Sequence, residues 1–266
     1  MIATMDGFSA FALLLRFRAL VSFLIIVAVW QLVAALGLAP EKYFPGIPAI
    51  VSGFLGMVAN GELAAAEWRT LLRAMLGLAG ASLLGVGLAI LSDISPAFRR
   101  GFAPIAALIQ PIPPAAVVPM AVFMLGLGPK LYAFIIILVT VWPPYFNGVA
   151  ALASVSDIQI RSGQMLGLSR WQILRQIKLP AAMPEIFAGI RYASTISLIA
   201  VVVAEMLAGH DGLGFLLVRK AFAIRIPEVY ALMFVCAANG LVLNAIVNAA
   251  RWQLAGWHLR MTGQPA

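Results

Sequence analysis

The side chains in this sequence that are most able to bind a solute or transfer a proton lie inside strongly apolar segments. Glu205 stands near the end of one such segment, and Ser194, Thr195 and Ser197 precede it there. Ionisable groups at membrane depth are costly, and they often mark the path of a solute or an ion. A structural alternative exists for each residue: amides of 209–212 can cap Glu205, and the hydroxyls can bond back to their own helix.

Two asparagines in a second apolar segment also allow either a structural role or a role in the solute pathway. Asn244 and Asn248 are spaced i, i+4 and therefore share one face of a helix. They suit either hydrogen bonds between helices or the lining of a polar cavity.

Catalytic and metal chemistry find no support in the remaining residues. The chain has no G-x-x-x-x-G-K-[ST] phosphate loop, and His210 and His258 are isolated from other ligands. The single cysteine, Cys236, lies in an apolar run and so supports neither a disulfide framework nor a metal cluster. We predict that the chain is not an enzyme and holds no metal or cofactor of its own.

The composition predicts an integral membrane protein that is all-α. Of 266 residues, 63% are hydrophobic and 11% are charged, whereas soluble domains carry about 25% charged residues. The basic residues flank apolar runs, so the net charge of +8 does not indicate nucleic-acid binding. A span takes roughly 20 apolar residues, which predicts a single transmembrane domain over 1–266 with about six spans: 20–38, 71–91, 102–125, 131–152, 185–207 and 230–252.

The third and fourth predicted spans are interrupted by prolines. Within 102–125 the prolines are Pro104, Pro111, Pro113, Pro114 and Pro119, and WPPYFN at 142–147 interrupts the next span. Irregular backbone at membrane depth survives only where protein buries it or where it lines a cavity. The third span is therefore either a kinked packing helix or a pathway wall from Gln110 to Met120.

The segment Ser156–Pro184 is too polar to span a membrane, yet its apolar residues recur at helical spacing. Ser156 with Gln159, and Ser169 with Gln172, each match the S-x-x-Q capping box. We predict two short helices at a sharp angle that dock into a partner. Gly167 would provide the left-handed turn between them, and Pro180 would end the second helix.

Lysine and arginine set the predicted orientation, with both termini in the cytoplasm. Of the eighteen basic residues, eleven then fall on the inner side: Arg16, Arg18, Arg99, Arg100, Arg161, Arg170, Arg175, Lys178, Arg191, Arg251 and Arg260. The Ser156–Pro184 segment is cytoplasmic in this arrangement.

This segment also carries a recognisable motif. Gly167, followed after nine residues by Ile177, Lys178, Leu179 and Pro180, reproduces G-x9-I-x-L-P. It resembles the EAA loop of permease subunits in bacterial binding-protein-dependent ABC importers. Three further stretches are similar to the nitrate, sulfonate and taurine permease branch: FPGIPAIV, PIPPAAVVPMAVFMLGLGPK and AEMLAGHDGLGFLL. The resemblance runs from about Phe44 to Trp257.

Two positions depart from the family pattern. Arg161 begins the triplet Arg161, Ser162 and Gly163 where the family has Glu-Ala-Ala. Gln110 stands before the first proline of the third span, where members of the branch often carry an arginine.

The resemblance implies a type I importer permease in the bacterial inner (plasma) membrane, with multiple spans. It implies a homodimer that works with two cytoplasmic ATPases, which bind ATP and Mg²⁺, and with a periplasmic or lipid-anchored binding protein. The implied solute is small and anionic, like nitrate, sulfonate or taurine. A non-anionic solute such as a pyrimidine precursor, or an ion-coupled secondary transporter, remains an alternative, and a membrane enzyme or a scaffold fits less well.

The resemblance also implies two sets of site residues. The residues expected to couple to the ATPase are Arg161, Leu166, Gly167, Leu168, Trp171, Leu174, Ile177, Leu179 and Pro180. The residues expected along the substrate pathway are Gln110, Pro111, Pro113, Met120, Tyr145, Asn147, Ser194, Ser197 and Glu205.

Overall fold

The structure, a computed structural model, describes the backbone of residues 5–262 and the side chains of residues 17, 18 and 20–253. Every regular element in this part is a helix, which confirms the all-α prediction. The helices are α1 Met5–Ala35, α2 Ile47–Ala59, α3 Glu62–Ile94, α4 Pro96–Ile109, α5 Pro114–Leu125, α6 Pro129–Thr140, α7 Trp142–Ala153, α8 Asp157–Met165, α9 Arg170–Ile173, α10 Leu179–Ala208, α11 Leu213–Phe222 and α12 Ile226–Thr262.

Four helical stretches in the described residues are long and apolar enough to cross a membrane: Glu62–Ile94, Pro129–Ala153, Arg170–Ala208 and Ile226–Gln253. A fifth candidate is the pair α4 and α5, which meet at an angle of 102°. These stretches match the predicted spans from the second to the sixth. The first predicted span, 20–38, corresponds to the shorter apolar segment Leu20–Ala35, so the count of six remains a prediction.

The chain forms two compact units. The smaller unit combines residues up to 60 with 220–232. Within it, the Trp30 ring stacks on Phe44 at 4.2 Å between centroids and meets Tyr230 edge-on. Helix α2 has Pro48 in its first turn, where a missing N–H costs no helical hydrogen bond.

The larger unit, 61–219 with residues from 233 onward, packs around α3. Gly77, Ala81, Gly85 and Ala89 recur every four residues and are buried. A Cβ atom on Gly85 would lie 2.6 Å from the carbonyl oxygen of Val141. The small-residue stripe therefore lets α3 approach the junction of α6 and α7 at backbone distance, as small residues do between membrane helices.

The prediction that Pro180 ends its helix is wrong. Helix α9 continues through a π-helical turn, Leu174–Lys178, directly into α10, and Pro180 lies in the first turn of α10. The amide of Leu179 bonds to the carbonyl of Leu174. The extra residue in this turn shifts the carbonyls that the proline ring would otherwise strike.

The interruption predicted at WPPYFN is smaller than expected. Helices α6 and α7 are separated only by Val141, whose φ and ψ are −66° and −26°. Pro143 and Pro144 stand in the first turn of α7, where helix amides have no partner within the helix. By contrast, the third span is truly broken, because residues 110–113 separate α4 from α5.

Candidate functional site

The turn between α8 and α9 is built by short-range hydrogen bonds. The Ser169 hydroxyl accepts from the Gln172 amide at 3.3 Å, and the Gln172 side chain accepts from the Ser169 amide at 2.8 Å. This confirms the second capping box. The Ser156 hydroxyl accepts from the Ile158 amide instead of from Gln159, so the first predicted box is only a simple cap.

Gly167 provides the left-handed residue that this turn requires. Its φ is +74°, and a Cβ atom added to it would meet nothing within 4 Å. Backbone conformation, and not crowding, is thus what favours glycine at this position.

Four large apolar side chains project from α8, the turn and α9. Ile158, Met165, Leu166 and Trp171 are 77%, 88%, 80% and 61% exposed. We call these four residues the coupling surface. Ile158, Met165 and Leu166 lie outside the candidate spans, and Trp171 lies at the edge of one; exposed apolar side chains of this kind are typical of interaction sites.

The remaining predicted coupling residues differ in their exposure. Arg161 is exposed, and Leu168, Ile177, Leu179 and Pro180 are half-buried. Leu174, which was expected to face a partner, is only 4% exposed and packs in the core with α7 and α10 residues. Leu174 is not available to a partner protein, because its side chain points into the core from the start of the π-helical turn.

An ion pair fastens this region to α3. Lys178, the last residue of the π-helical turn, pairs with Asp93 near the end of α3, and both side chains are less than a fifth exposed. A cleft of about 480 Å³ lies beside the pair, and Trp171 and Leu174 contribute to its lining. The end of α3 is therefore held to the π-helical turn that directly follows α9.

The opposite end of α3 carries a second polar cluster, centred on Glu205. The Glu205 side chain is fully buried, and it accepts hydrogen bonds from Thr70 at 2.8 Å, Arg73 at 2.7 Å and the Gly214 amide at 3.1 Å. The amide that bonds Glu205 thus belongs to Gly214, whereas the sequence suggested amides of 209–212. Thr70 also accepts from the Leu213 amide at 2.8 Å.

Asp211 completes this cluster by pairing with Arg73 and Arg69. Partial burial opposes its ionisation, but the hydrogen bond and charge of Arg73, with the charge of Arg69, outweigh burial and lower the pKa of Asp211. The Arg73 guanidinium also lies 4.0 Å from the centroid of the Tyr132 ring, a cation–π contact. Both carboxylates are neutralised by arginine, which indicates a structural tie between α3, α10 and the start of α11.

The two polar clusters are spaced along α3 as the two faces of a membrane would be. Arg73 and Asp93 are twenty residues apart on α3, which at 1.5 Å per residue is about 30 Å. This length matches the hydrocarbon core of a bilayer, roughly 30 Å. Helix α10 runs antiparallel to α3, since Lys178 meets one end of α3 and Glu205 meets the other.

A cleft of about 520 Å³ opens where the third span breaks. Three predicted pathway residues line it: Gln110, Pro111 and Pro113. Sequence reasoning missed its other walls, which come from three different helices, so that no local pattern joins them. The lining is free of charged residues and includes Val139, Trp142, Pro143, Tyr192, Ile196 and Ile199.

The other predicted pathway residues do not line this cleft. Tyr145 and Glu205 are buried, and Met120 is 66% exposed on α5. The polar groups of the rest bond within their own helices: Asn147 to the Pro143 carbonyl at 2.9 Å, Ser194 to the Arg191 carbonyl at 2.7 Å and Ser197 to the Ser194 carbonyl at 3.0 Å. The two serine bonds match the back-bonding alternative stated for these hydroxyls.

Asn244 makes the bond between helices that its spacing suggested. Its Oδ1 accepts from Nε of Arg191 at 2.8 Å, which joins α12 to α10. Arg191, which the sequence placed among inner residues, lies well inside α10. Among described residues, no group of three or more His, Cys, Asp or Glu could hold a metal.

Comparison with known proteins places this geometry among membrane transport components. Residues 81–254 match the family described as binding-protein-dependent transport system inner membrane component. The taurine transport system permease protein TauC of Escherichia coli is 31% identical, over 88% of this chain and 87% of the relative. The putative aliphatic sulfonates transport permease protein SsuC of Bacillus subtilis is 25% identical, over 88% and 84%.

A third relative and a solved structure are also components of membrane transporters. The nitrate import permease protein NrtB of Synechocystis is 30% identical over 67% of this chain and 65% of its own length. A chain of the MetNI methionine ABC transporter, solved in inward-facing conformations, has a TM-score of 0.60 at 15% identity. It covers 72% of this chain and 97% of its own length, and this likeness concerns the fold.

Proposed function

Because the chain belongs to the family of binding-protein-dependent transport system inner membrane components, we propose that it is the permease of an ATP-driven importer that carries a small organic anion. Two copies would form the pathway, with a pair of cytoplasmic ATPases and a periplasmic or lipid-anchored binding protein as partners. ATP and Mg²⁺ would be bound by the ATPases. Family membership removes the support for the secondary-transporter alternative.

The observation that carries the proposed link to an ATPase is the coupling surface. Its four side chains are 61–88% exposed on a capped helix–turn–helix outside the bilayer, as required of an apolar knob for a partner's groove. Gly163 lies so close to Ile177 and Ile173 that a Cβ atom there would overlap the Ile177 side chain. Helix α8 is therefore packed against the π-helical turn without slack.

The proposed mechanism follows from these contacts. When the ATPases close on ATP, they displace the coupling surface, and the π-helical turn passes this displacement into α10. The Lys178–Asp93 pair passes it into α3. Since α10 and α4–α5 both line the cleft, their relative movement would open the cleft to one membrane face and then to the other.

The proposed solute class rests on the relatives, which are named for taurine, aliphatic sulfonates and nitrate. The proposed orientation has both termini in the cytoplasm, on the side of the coupling surface. The termini themselves lie outside the described residues, so orientation is best tested at Met165, which is 88% exposed. A Met165→Cys variant in a Cys236→Ser background should react with a membrane-impermeant thiol reagent only after the membrane is opened.

The decisive experiment examines coupling in the assembled transporter. The chain is expressed with the ATPase and the binding protein of its transporter, and Leu166→Glu is compared with wild type. We expect the variant to insert normally but to lose most of the co-purified ATPase and about 10-fold or more of the uptake of taurine or ethanesulfonate, since desolvating a charge in an apolar contact is costly.

The matched control is Leu127→Glu, because Leu127 is also exposed, at 66%, but lies in the turn between α5 and α6. This control should retain both the ATPase and the uptake. A wild-type chain that retains no ATPase would overturn the proposed assembly. Uptake restricted to uncharged solutes, such as pyrimidines, would overturn the proposed solute class alone.

A further inference from the structure

Free arginines accompany the apolar side chains of the coupling surface. Arg161, Arg170 and Arg175 lie on α8, on α9 and in the π-helical turn, and all three are exposed. None of them takes part in an ion pair within the described part of the chain. Lys178, the fourth basic residue of this segment, is already paired with Asp93. Three positive charges are therefore unpaired within the chain.

Arg161 stands in the middle of the apolar face of α8. It is three residues after Ile158 and four before Met165, so the three side chains line up on one side of the helix. Gly163 is two residues further on, which is about 200° around the helix, and it packs against Ile177. The face that carries Arg161 therefore points away from the body of the protein, together with two residues of the coupling surface.

Arg175 has the same relationship to Trp171. These two residues are four apart and both are exposed, whereas Ile173 and Leu174 between them are buried. Their side chains therefore share the outer side of α9 and the π-helical turn. Each half of the coupling surface thus combines large apolar side chains with a guanidinium group.

Acidic side chains are scarce in the same segment. Between positions 156 and 184 the sequence has one acid, Asp157. It lies in the first turn of α8, where the free amides of the helix start favour a negative charge. Since three free arginines outnumber it, the surface that α8 and α9 present is positively charged.

This arrangement favours a protein partner over the lipid surface. In a helix that lies on a membrane, basic residues occupy the polar face and apolar residues occupy the other face. On α8, Arg161 instead lies within the apolar face, between Ile158 and Met165. Arginine, tryptophan and methionine are enriched where proteins meet, whereas lysine is depleted there. The free basic residues of this surface are all arginines, as such a contact requires.

We propose that the coupling surface docks into an acidic groove of the ATPase subunit, in which one carboxylate meets Arg161 and another meets Arg175. This inference rests on the proposed function and adds the chemistry of the partner's groove. A guanidinium that enters an apolar contact loses its water, and this cost is offset when a carboxylate binds it. Two parallel hydrogen bonds to one carboxylate are the geometry that arginine suits best.

The test uses the assembled transporter in lipid nanodiscs and measures how fast the ATPase subunits dissociate after dilution. Arg161→Gln should speed dissociation about 10- to 100-fold, because it leaves the opposing carboxylate buried and unpaired. Arg161→Glu should speed it further, since two carboxylates would then face each other. Arg161→Lys keeps the charge without the two parallel bonds, so its rate should lie between those of wild type and Arg161→Gln.

The matched controls are Arg99→Gln and Arg99→Glu. Arg99 is also exposed and makes no ion pair in the described residues, but it lies on α4. Both controls should release the ATPase as slowly as wild type does. Because Arg161 has no ion-pair partner within the chain, its variants should enter the membrane in wild-type amounts, so that faster release of the ATPase does not reflect a failure to fold.

Two further measurements identify what the guanidinium meets. In an Arg161→Glu background, each acidic residue on the ATPase surface is replaced by lysine in turn, and at least one replacement should recover part of the lost retention. The difference between wild type and Arg161→Gln should be the same in nanodiscs of phosphatidylcholine alone and in nanodiscs that contain phosphatidylglycerol. A difference confined to phosphatidylglycerol would assign the arginine to lipid headgroups and overturn the inference.

The remaining outcomes separate this inference from the proposed function. If wild type retains no ATPase, the proposed assembly fails and the inference fails with it. If wild type retains the ATPase, and Arg161→Gln and Arg161→Glu retain it equally well, the acidic groove alone is wrong. The absence of any rescuing lysine on the ATPase also overturns the groove. Wild-type dissociation of Arg175→Gln overturns the second contact.

Discussion

Lys178 and Asp93 form an ion pair that joins the end of the π-helical turn to the end of α3. These residues are 85 positions apart in the chain, and each side chain is less than a fifth exposed. The pair adds a charged contact between two helices that also pack against each other. We therefore expect the pair to contribute both to the stability of the fold and to the coupling of transport to ATP hydrolysis.

The first prediction concerns this pair. Asp93→Asn and Lys178→Gln should each lower the free energy of unfolding, with a coupling energy of about 1–3 kcal/mol in a double-mutant cycle. Each should also reduce the solute imported per ATP hydrolysed. The reversed pair, Asp93→Lys with Lys178→Asp, should recover part of both quantities. A coupling energy near zero in thermal unfolding in detergent would contradict this role.

The second prediction uses two glycines on α3. Gly85→Ala should destabilise the protein by about 1–3 kcal/mol, because the added Cβ would meet the Val141 carbonyl oxygen, a backbone atom that cannot turn away. Gly87→Ala is the matched control, since nothing lies within 4 Å of a Cβ there. It should be neutral or stabilising by up to about 1 kcal/mol from helix propensity. Equal melting temperatures for the two variants would show that α3 does not approach α7 this closely.

Predictions from the sequence succeeded where the interactions join residues that are close together in the chain. The capping box at Ser169 and the left-handed Gly167 depend on neighbours within a few residues, and both were confirmed. The same applies to the broken third span, where prolines at 111, 113 and 114 fall together.

The failures have a common cause in long-range or competing structure. A proline at position 180 would break a regular α-helix, but the π-helical turn before it removes the clash. No local sequence pattern predicts that turn. The partners of Glu205 lie more than 130 positions away on α3. Tertiary contacts decided each of these cases.

The third prediction concerns pH. Because the arginines lower the pKa of Asp211 in the folded state, its ion pair contributes stability above the unfolded pKa of about 3.9, and this contribution is lost as pH falls through the folded pKa. Asp211→Asn should therefore lower the melting temperature at neutral pH, and the gap from wild type should shrink below about pH 4. A gap that is constant or widens on acidification would contradict the assigned ion pair.

The final prediction tests what Gly167 contributes to the coupling surface. Its φ of +74° favours residues that tolerate the left-handed region, and a side chain there would meet empty space. Asparagine visits this region readily, whereas a β-branched residue does not. Gly167→Asn should therefore keep ATPase co-purification and uptake near the wild-type values. Gly167→Val should strain the turn and tilt α8 against α9, lowering both quantities about 10-fold while the protein remains in the membrane. If valine is tolerated as well as asparagine, the left-handed turn is not what presents Leu166 and Trp171 to the partner, and the coupling surface must be held by the packing of α8 on the π-helical turn alone.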